Sequence, residues 1–388
     1  MRELWELQQM QSLPLDAKIQ MTRSRVDKWI ETFGEDGVYI SFSGGKDSTV
    51  LLDLVRNEFG YKNVRAMFVD VPTQYPELRQ FVKTFDNVDI VTPKINFFQV
   101  CEKYGFPLFS KEISECINGA RKYLINIFGQ ELGGVENINE IKAIVEEKPE
   151  LLEKSLRENF KKKGEVMRTA KMLGWWTKEN TIDRNANWKN RSMMNYESYK
   201  FMIFAPFECA SYCCNAMKKE PANRYAKETK SVPITAQMAS ESKMRTRVWI
   251  RQGCNAFDAV HPISNPMSFW TEQDVLLYIR IRNLPICSVY GDVVTDDEEM
   301  GQMQLSDFAG MEIFDQGQQC LHCTGCKRTG CVLCGFGTHL PNEQERFTDL
   351  RKTHPKMYAL LDVCKNNGYT MRQAIDWISE NSTKVIRY

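Results

Sequence analysis

The sequence predicts an α/β protein with a parallel twisted sheet, flanking helices, a helical insertion and a cysteine-rich C-terminal region. β-rich runs alternate with helical patterns in its N-terminal part, which is typical of βαβ units and a parallel sheet. The first of these runs passes through a glycine turn directly into a helical pattern. A later stretch holds five cysteines in fifteen residues, and core packing does not explain that density. At 388 residues the chain is long enough for two domains, or for one large domain with insertions.

Residues 1–34 are predicted to form an N-terminal helical segment, because their apolar residues recur at helical spacing. Pro14 is expected to divide this segment into two helices. The residues Gly34 to Gly37 end it before the first strand.

The stretch Val38–Val50 reads VYISFSGGKDSTV, which predicts a strand, a glycine turn and a helix. This layout suits a phosphate, because glycines let backbone N–H groups approach an anion and the helix start adds positive potential. Lys46 adds a full charge, and Ser48 and Thr49 are expected to cap the helix. The spacing is not that of a Walker motif. The predicted phosphate-binding residues are Ser43, Gly44, Gly45, Lys46, Asp47 and Ser48.

Two further buried strands are predicted at residues 64–71 and 88–91. Ligands of parallel sheets bind beyond the carboxyl ends of the strands, so Asp70 and residues 73–77 are expected beside the glycine loop. Asp70 either contacts a nucleotide or a metal, or caps the next turn. We assign residues 35–113 and 190–290 to a nucleotide-binding domain.

Residues 114–189 are predicted to form a helical insertion, because helix formers and charged residues dominate there. Its far end is basic and includes Lys161–Lys163, Arg168 and Lys171. Such a run is either a solvated helix face or a contact for a polyanionic substrate.

Charge and composition exclude several classes of protein. The 51 basic and 50 acidic residues nearly cancel, so any polyanion site must be local. No apolar run reaches the ~18 residues of a membrane span, and the first residues lack the apolar region of a signal peptide. We therefore expect a cytoplasmic protein with no membrane partner. In that reducing compartment the 13 cysteines are expected to be thiols or metal ligands rather than disulfides.

Residues 291–388 are predicted to form a cysteine-rich, metal-binding and helical C-terminal region. A tandem pair, Cys213 and Cys214, lies about a hundred residues before its cysteine cluster. Four such thiolates hold either a tetrahedral zinc ion or a 4Fe–4S cluster, and the spacing leaves both open. Cys101, Cys116, Cys287 and Cys364 lie in apolar or helical patterns and are expected to be small core residues. The clustered cysteines are Cys320, Cys323, Cys326, Cys331 and Cys334.

The S-G-G-K-D-S run resembles the pyrophosphate loop of the ATP-pyrophosphatase (PP-loop) superfamily, whose fold is adenine nucleotide alpha hydrolase-like. The resemblance implies that ATP with Mg²⁺ binds here and is split between its α and β phosphates. It further implies that Lys46 stabilises charge on the β and γ phosphates and that Asp47 helps to position the metal.

Other segments resemble the phosphoadenosine phosphosulfate (PAPS) reductase family. The run CCNAMKKEP with a distant C-x-x-C is similar to the iron–sulfur motif of adenylyl-sulfate reductases, which implies that Cys213, Cys214, Cys331 and Cys334 ligate one 4Fe–4S cluster. The run A-S-E-S-x-x-R resembles that family's nucleotide-site motif and implies that Glu241 and Arg245 contact the nucleotide. The run W-T-E-Q-D-V, from Trp270, resembles the segment that opens the family's next helix.

The chain also departs from the sulfonucleotide reductases. Its C-terminus lacks their K-x-E-C-G-x-H segment and holds only Cys364, within a helical pattern. Its glycine loop keeps the S-G-G-K-D-S pattern of enzymes that cleave ATP. Both differences favour an enzyme that adenylates an acceptor and then transfers sulfur to it, like the tRNA and DNA thiolation enzymes of the superfamily.

This hypothesis makes Cys320, Cys323 and Cys326 candidates for a sulfur relay and lets Arg245, Arg247 and Arg251 hold acceptor phosphates. Its partners are an adenine nucleotide, an acceptor that is either a nucleic acid (base or backbone) or a small molecule, and a sulfur donor or reductant protein. The chain can be an oligomer. One alternative is a sulfonucleotide reductase that takes its attacking thiol from the same three cysteines. The other is a zinc-bearing nucleic-acid-binding module without catalysis.

Overall fold

The computed structural model describes residues 2–131, 138–147, 149–159, 164–299, 320–327, 329–341 and 344–388. The chain divides into two compact units. Unit 1 comprises Met1–Pro93 and Lys219–Cys331, and unit 2 comprises Lys94–Lys218 and Val332–Tyr388. The domain boundaries given above remain predictions.

Among the described residues, the strands are short and form one large sheet and three two-stranded ones. In chain order they are β1 (Val38–Ser41), β2 (Arg65–Val69), β3 (Val88–Val91), β4 (Leu108–Phe109), β5 (Val232–Ile234), β6 (Asn255–Ala256), β7 (Ile263–Ser264), β8 (Val293–Thr295), β9 (Leu321–Cys323), β10 (Gly335–Phe336), β11 (Lys365–Asn366) and β12 (Tyr369–Thr370).

The described α-helices, in chain order, are α1 (Leu4–Gln11), α2 (Leu15–Phe33), α3 (Lys46–Asp53), α4 (Pro76–Val82), α5 (Phe97–Tyr104), α6 (Lys111–Glu131), α7 (Ile138–Glu147), α8 (Pro149–Glu158), α9 (Gly164–Leu173), α10 (Tyr212–Cys214), α11 (Glu220–Thr229), α12 (Lys243–Gln252), α13 (Glu272–Arg282), α14 (Asp296–Glu299), α15 (Arg346–Thr353), α16 (Pro355–Tyr358) and α17 (Met371–Asn381). Short 3₁₀ helices include Glu197–Phe204, Ala239–Glu241 and Ser288–Tyr290.

Unit 1 is built on a six-stranded sheet with the order β3-β2-β1-β5-β7-β6. All neighbouring strands are parallel except β6, which runs antiparallel to β7. Strand β1 lies near the centre, where Ile40 pairs with Ala66 on one side and Ile234 on the other. The chain is therefore an α/β protein with a mostly parallel sheet flanked by helices, and the predicted fold class is confirmed.

Strand β3 is not buried as predicted, because it lies at the edge of the sheet, where Ile90 is 50% exposed. Around the central strand β1 both faces of the sheet are covered, as βαβ connections require. On one face, Ile40 and Phe42 pack in a large core with residues of α2, α3 and α13, among them Trp29 and Tyr278. On the other face, Tyr39 packs against Tyr225 of α11. The alternation along β1 follows the two-residue period of a strand.

The helical N-terminus is confirmed, with Pro14 as the N-cap of α2 and so at the division between the two helices. Helix α2 carries Lys18, which is only 2% exposed and lies 2.7 Å from Asp274 of α13. A buried ion pair therefore joins the first long helix to the helix that starts at Glu272.

Unit 2 contains helices α5 to α10, a parallel bridge of β4 with β10, the hairpin β11–β12 and the last helices. Lys171, predicted on a basic helix face, is buried and forms an ion pair with Glu112 at 3.0 Å. The prediction of a solvated or polyanion-binding face is therefore wrong for Lys171. Residues Lys161–Lys163 lie outside the described residues.

The sequence pattern predicts Cys364 within a helix, but the structure does not place it in one. It lies between a 3₁₀ helix at Ala359–Leu361 and β11, and it is fully buried. Among the described helices, none is both long and apolar enough to cross a membrane.

Candidate active site around the glycine loop

The glycine loop joins β1 to α3 in the predicted strand, turn and helix order. Gly44 has φ +72°, and a Cβ there would lie 2.8 Å from Val82. This position therefore needs glycine both for its left-handed backbone and for its close packing. Gly45 is the N-cap of α3, so the N–H groups that have no partner within the helix begin at Lys46.

Ser48 and Thr49 do not cap the helix, because α3 begins at Lys46 and both residues lie inside it. The Ser48 hydroxyl accepts a hydrogen bond from the Ser43 N–H at 3.2 Å and donates to the Gly45 carbonyl at 2.9 Å. Ser48 therefore fixes the loop from within the first turn of the helix.

Lys46 brings a buried cation to the loop, since only 7% of the residue is exposed. Its Nζ lies 3.1 Å from Glu272 and 3.8 Å from Asp47. Burial opposes the charged form, but Asp47, Tyr290 and Glu272 outweigh it and raise the pKa of Lys46. The side chain is thus a fixed positive charge at the start of α3.

Asp47 lies beside this lysine, and burial raises the pKa of its carboxyl group against the effect of the Lys46 and Arg245 cations. Among the residues that the structure describes, its Oδ1 is buried and has no hydrogen-bond partner. The same holds for Oδ1 of Asp70 and Oγ1 of Thr73, which follow the neighbouring strand β2. Oxygen atoms of this kind suit a ligand that supplies donors or a cation.

Asp70 does not cap the turn that follows it. The Val71 N–H instead donates to the side chain of Gln74 at 3.0 Å, and Asp70 forms an ion pair with Arg79 at 2.6 Å. The contact of Asp70 with a nucleotide or a metal remains a prediction.

Glu241 and Arg245 flank the start of α12, where the Ser242 hydroxyl accepts a hydrogen bond from the Arg245 N–H at 3.3 Å. The two side chains form an ion pair. Arg245 also acts electrostatically on Asp47, so this motif lies beside the glycine loop. Arg247 and Arg251 lie exposed on the same helix.

Part of the cysteine cluster lies at the same site. Cys323 ends β9, which pairs with β8, and its half-buried thiol interacts with the charges of Lys46, Asp47 and Glu272. Burial raises the pKa of Cys323, while the Lys46 cation opposes the shift. The Cys326 Sγ lies 3.5 Å from the Tyr75 hydroxyl. Cys320 is exposed.

Three residues of this site were not predicted from the sequence. The Tyr290 hydroxyl accepts a hydrogen bond from the Lys46 N–H at 3.3 Å and shares another with Thr329 at 2.7 Å. Glu272, the third, holds the Lys46 ammonium. Its position was indicated by the W-T-E-Q-D-V segment, which does open α13 after a Thr271 cap, but no local pattern indicates Tyr290 or Thr329.

The tandem cysteines lie in unit 2. A hydrogen bond with Cys213 and the nearby Lys111 and Lys218 lower the pKa of Cys214 to about 6. Cys101 is hydrogen-bonded to Cys364, and this bond, burial and the charges of Cys213 and Cys334 raise its pKa. Cys101 and Cys364, which the sequence suggested were ordinary core residues, are thus members of a thiol group. None of the 13 cysteines forms a disulfide.

Cys331 is the last residue of unit 1. Among the described residues, no group of three or more His, Cys, Asp or Glu side chains is arranged to hold a metal ion. The donor chemistry nevertheless suits soft metals, because Cys214 readily forms a thiolate and Cys213 and Cys334 both lie near Cys101. The assignment of Cys213, Cys214, Cys331 and Cys334 as metal ligands remains a prediction.

The glycine-loop site combines backbone donors at a helix start, a buried lysine and two half-buried thiols. Donors and a cation fixed in this way bind and stabilise phosphate charge without reorganisation. Thiols beside such a site can attack a group that the phosphates hold in place.

The chain matches the sequence model of the phosphoadenosine phosphosulfate reductase domain over residues 37–111 and 163–336. It is also similar to a solved structure of phosphoadenylyl-sulfate (PAPS) reductase from Candida auris in a phosphate complex. The identity is 14%, the TM-score is 0.33, and the match covers 71% of this chain and 91% of that one. A search of curated proteins finds no significant match. Because the two matched segments make up more than half of its residues, the chain belongs to the phosphoadenosine phosphosulfate reductase domain family.

Proposed function

We propose that the protein is a nucleotide-dependent sulfur-transfer enzyme that binds ATP with its phosphates on Ser43–Ser48. The observation that carries this proposal is the pairing of an intact S-G-G-K-D-S loop with the thiols of Cys323 and Cys326. A loop of this kind supports cleavage of ATP, and a thiol beside it supports delivery of sulfur to the activated product.

In the first step, an oxygen of the acceptor attacks the α-phosphorus and forms a new P–O bond. The bond to the bridging oxygen breaks, and pyrophosphate leaves with the electron pair. Lys46 and the N–H groups at the start of α3 stabilise the charge that collects on the leaving group. Asp47 is suited to orient a Mg²⁺ ion on the phosphates, since one of its oxygens has no hydrogen-bond partner among the described residues.

In the second step, a persulfide on Cys323 or Cys326 attacks the carbon or phosphorus that bears the adenylated oxygen. The bond to that oxygen breaks, and AMP leaves with the oxygen and the electron pair. The other cysteine then attacks the first cysteine's sulfur, which releases the thiolated product and leaves a disulfide between the two. An external dithiol reduces this disulfide, and a persulfide donor restores the sulfur. The C-x-x-C spacing of the two residues suits such a relay.

The metal site is a separate part of the proposal. Cys213, Cys214, Cys331 and Cys334 would hold a 4Fe–4S cluster, with zinc as the alternative. A bound cluster would supply electron transfer or labile sulfur to the enzyme.

A sulfonucleotide reductase is the second candidate, and the thiol of Cys323 close to Lys46 favours it. Here a thiolate attacks the sulfur of PAPS or adenylyl sulfate, the S–O bond breaks, and the nucleotide phosphate leaves. A second cysteine then attacks the cysteine sulfur of this S-sulfocysteine, which forms a disulfide and releases sulfite. This reaction needs a dithiol reductant but no ATP.

An exchange assay separates the two functions. The sulfur-transfer proposal expects the wild type, given bulk RNA or DNA as acceptor, to exchange labelled pyrophosphate into ATP. We expect Lys46→Ala to lower this rate by about 10²-fold or more, because a fixed cation at the leaving group is lost. Lys28→Ala, at an exposed position of α2, is the matched control and should exchange normally. Sulfite release from PAPS without ATP, and no exchange, would replace this proposal by the reductase.

A further inference from the structure

Tyr290 occupies a position that a phosphate oxygen would be expected to take. The first N–H groups of an α-helix have no partner within the helix, and bound phosphates accept from them. In this protein the Lys46 N–H, at the first position of α3, donates to the Tyr290 hydroxyl at 3.3 Å. The ring of the same tyrosine lies 5.6 Å from the Lys46 ammonium.

The hydroxyl is held firmly at this position. Tyr290 is 2% exposed, and its hydroxyl also shares a hydrogen bond with Thr329 at 2.7 Å. Burial raises the pKa of Tyr290 to about 12, so it remains a neutral hydroxyl at physiological pH. A neutral hydroxyl is a weaker acceptor for a helix N–H than a phosphate oxyanion, which a charge-assisted hydrogen bond favours.

The backbone around Tyr290 carries the thiol segment. The Tyr290 carbonyl accepts from the Gly325 N–H at 2.9 Å, and the Val289 carbonyl accepts from the Cys326 N–H at 2.8 Å. A Cβ on Gly325 would lie 2.4 Å from the Val289 carbonyl oxygen, so the two segments are in close contact. Residues 288–290 and 324–326 are thus expected to move together.

We propose that Tyr290 is a positioning residue that couples phosphate binding to the reactivity of Cys326. Phosphate on the Lys46 N–H displaces the Tyr290 hydroxyl, and the displacement moves the Gly325–Cys326 segment away from its contact with Tyr75. The thiol then becomes available only when the nucleotide is bound. This inference rests on the proposed phosphate site, and it adds an order of events to the proposed reaction.

The first test is a binding measurement with pyrophosphate on Tyr290→Phe. The variant keeps the ring and removes only the competing hydroxyl, so pyrophosphate should bind about two- to tenfold more tightly, the equivalent of one ordinary hydrogen bond. A purely structural role for the hydroxyl predicts equal or weaker binding, and that result would overturn the proposal. Tyr225→Phe is the matched control, because it removes another nearly buried hydroxyl, bonded to Asp89 at 2.6 Å, and should leave the affinity unchanged.

The second test follows alkylation of Cys326 by N-ethylmaleimide, quantified by peptide mass spectrometry, with the exposed Cys320 as internal reference. In the wild type, pyrophosphate should raise the Cys326 rate severalfold relative to Cys320. In Tyr290→Phe the rate should already be high and should not respond to pyrophosphate. Thr329→Val, which removes the partner of the hydroxyl, provides a second variant and should shift the rate in the same direction.

The outcomes separate this inference from the proposed function. If calorimetry shows that the wild type binds pyrophosphate and ATP but the Cys326 rate does not change, only the coupling is wrong. If the wild type binds neither, both the proposed function and the coupling are overturned.

Discussion

At the scale of single residues, Gly44 shapes the loop on which the proposed phosphate site depends. Its φ of +72° is costly for any residue with a Cβ, by about 1–2 kcal/mol. A Cβ would in addition lie 2.8 Å from Val82 and 3.1 Å from Leu78. We expect Gly44→Ala to lower the free energy of unfolding by more than the backbone cost alone and to abolish ATP binding, as measured by urea denaturation and calorimetry.

Gly60→Ala is the control for this prediction. Gly60 has a similar left-handed backbone, with φ +90°, but nothing lies within 4 Å of the position of its Cβ. In this variant the free energy of unfolding should fall only by the backbone cost of about 1–2 kcal/mol. The variant should bind ATP normally. Equal losses of stability in the two variants, with ATP binding retained in both, would show that the packing around Gly44 does not shape the loop.

Only some of the individual residues of the glycine-loop site can be predicted from the sequence. The loop residues are contiguous, so a motif with a physical rationale predicts them together. Tyr290 meets Lys46 across 244 residues of sequence, and no periodicity or spacing encodes such a contact. The position of Glu272 at the start of α13 follows from the W-T-E-Q-D-V segment. Its ion pair with Lys46 does not, because that contact depends on how α13 packs.

At the scale of elements, the ion pair of Lys18 with Asp274 ties α2 to the start of α13. Lys18 Nζ lies 2.7 Å from both carboxylate oxygens, and Asp274 also accepts from the Thr271 N–H at 2.7 Å. Replacing Lys18 by Met leaves a nearly buried carboxylate without its cation. We expect the free energy of unfolding to fall by about 3–5 kcal/mol, measured by urea denaturation.

Lys28→Met is the control on the same helix, at an exposed position. Its free energy of unfolding should stay within about 0.5 kcal/mol of the wild type, as is usual for surface substitutions. If both lysine variants lost the same small amount, the Lys18 pair would have no special role in holding α13.

Elements with a strong periodic pattern were predicted well, because local physics determines them. Helices α1 and α2 and strands β1 and β2 follow from apolar spacing and from Pro14, whereas β3 forms where it was predicted but lies half-exposed at the edge of the sheet. Strands β6 and β7 have two residues each, which is too short for any alternation to be recognised. The start of α3 was misjudged because Ser48 and Thr49 are common caps, whereas Gly45 in an extended conformation takes that position.

At the scale of the whole molecule, charges almost cancel, with 51 basic and 50 acidic residues. Attraction for a polyanion therefore has to come from local arrangements such as the start of α3 with Lys46. The cysteines are likewise organised locally: Cys323 and Cys326 lie by the glycine loop of unit 1, and Cys213, Cys214 and Cys334 belong to unit 2. Sequence spacing indicated the five clustered cysteines and the Cys213–Cys214 pair as candidates for chemistry. It could not reveal this division, which depends on the tertiary fold.

Metal content is the last prediction, and it tests the cysteines of unit 2 independently of catalysis. We expect the anaerobically purified chain to contain iron and acid-labile sulfide in equal amounts and to show the broad visible absorption of a 4Fe–4S cluster. Cys214→Ala should lose both, because it removes a thiol that readily ionises beside Lys111 and Lys218. Cys116→Ala is the matched control, since Cys116 is a buried thiol of α6 whose pKa burial raises to about 11, and it should keep its iron. A colourless protein with stoichiometric zinc, lost in the same variant, would assign these cysteines to zinc instead, and metal unchanged in Cys214→Ala would remove that residue from the ligand set.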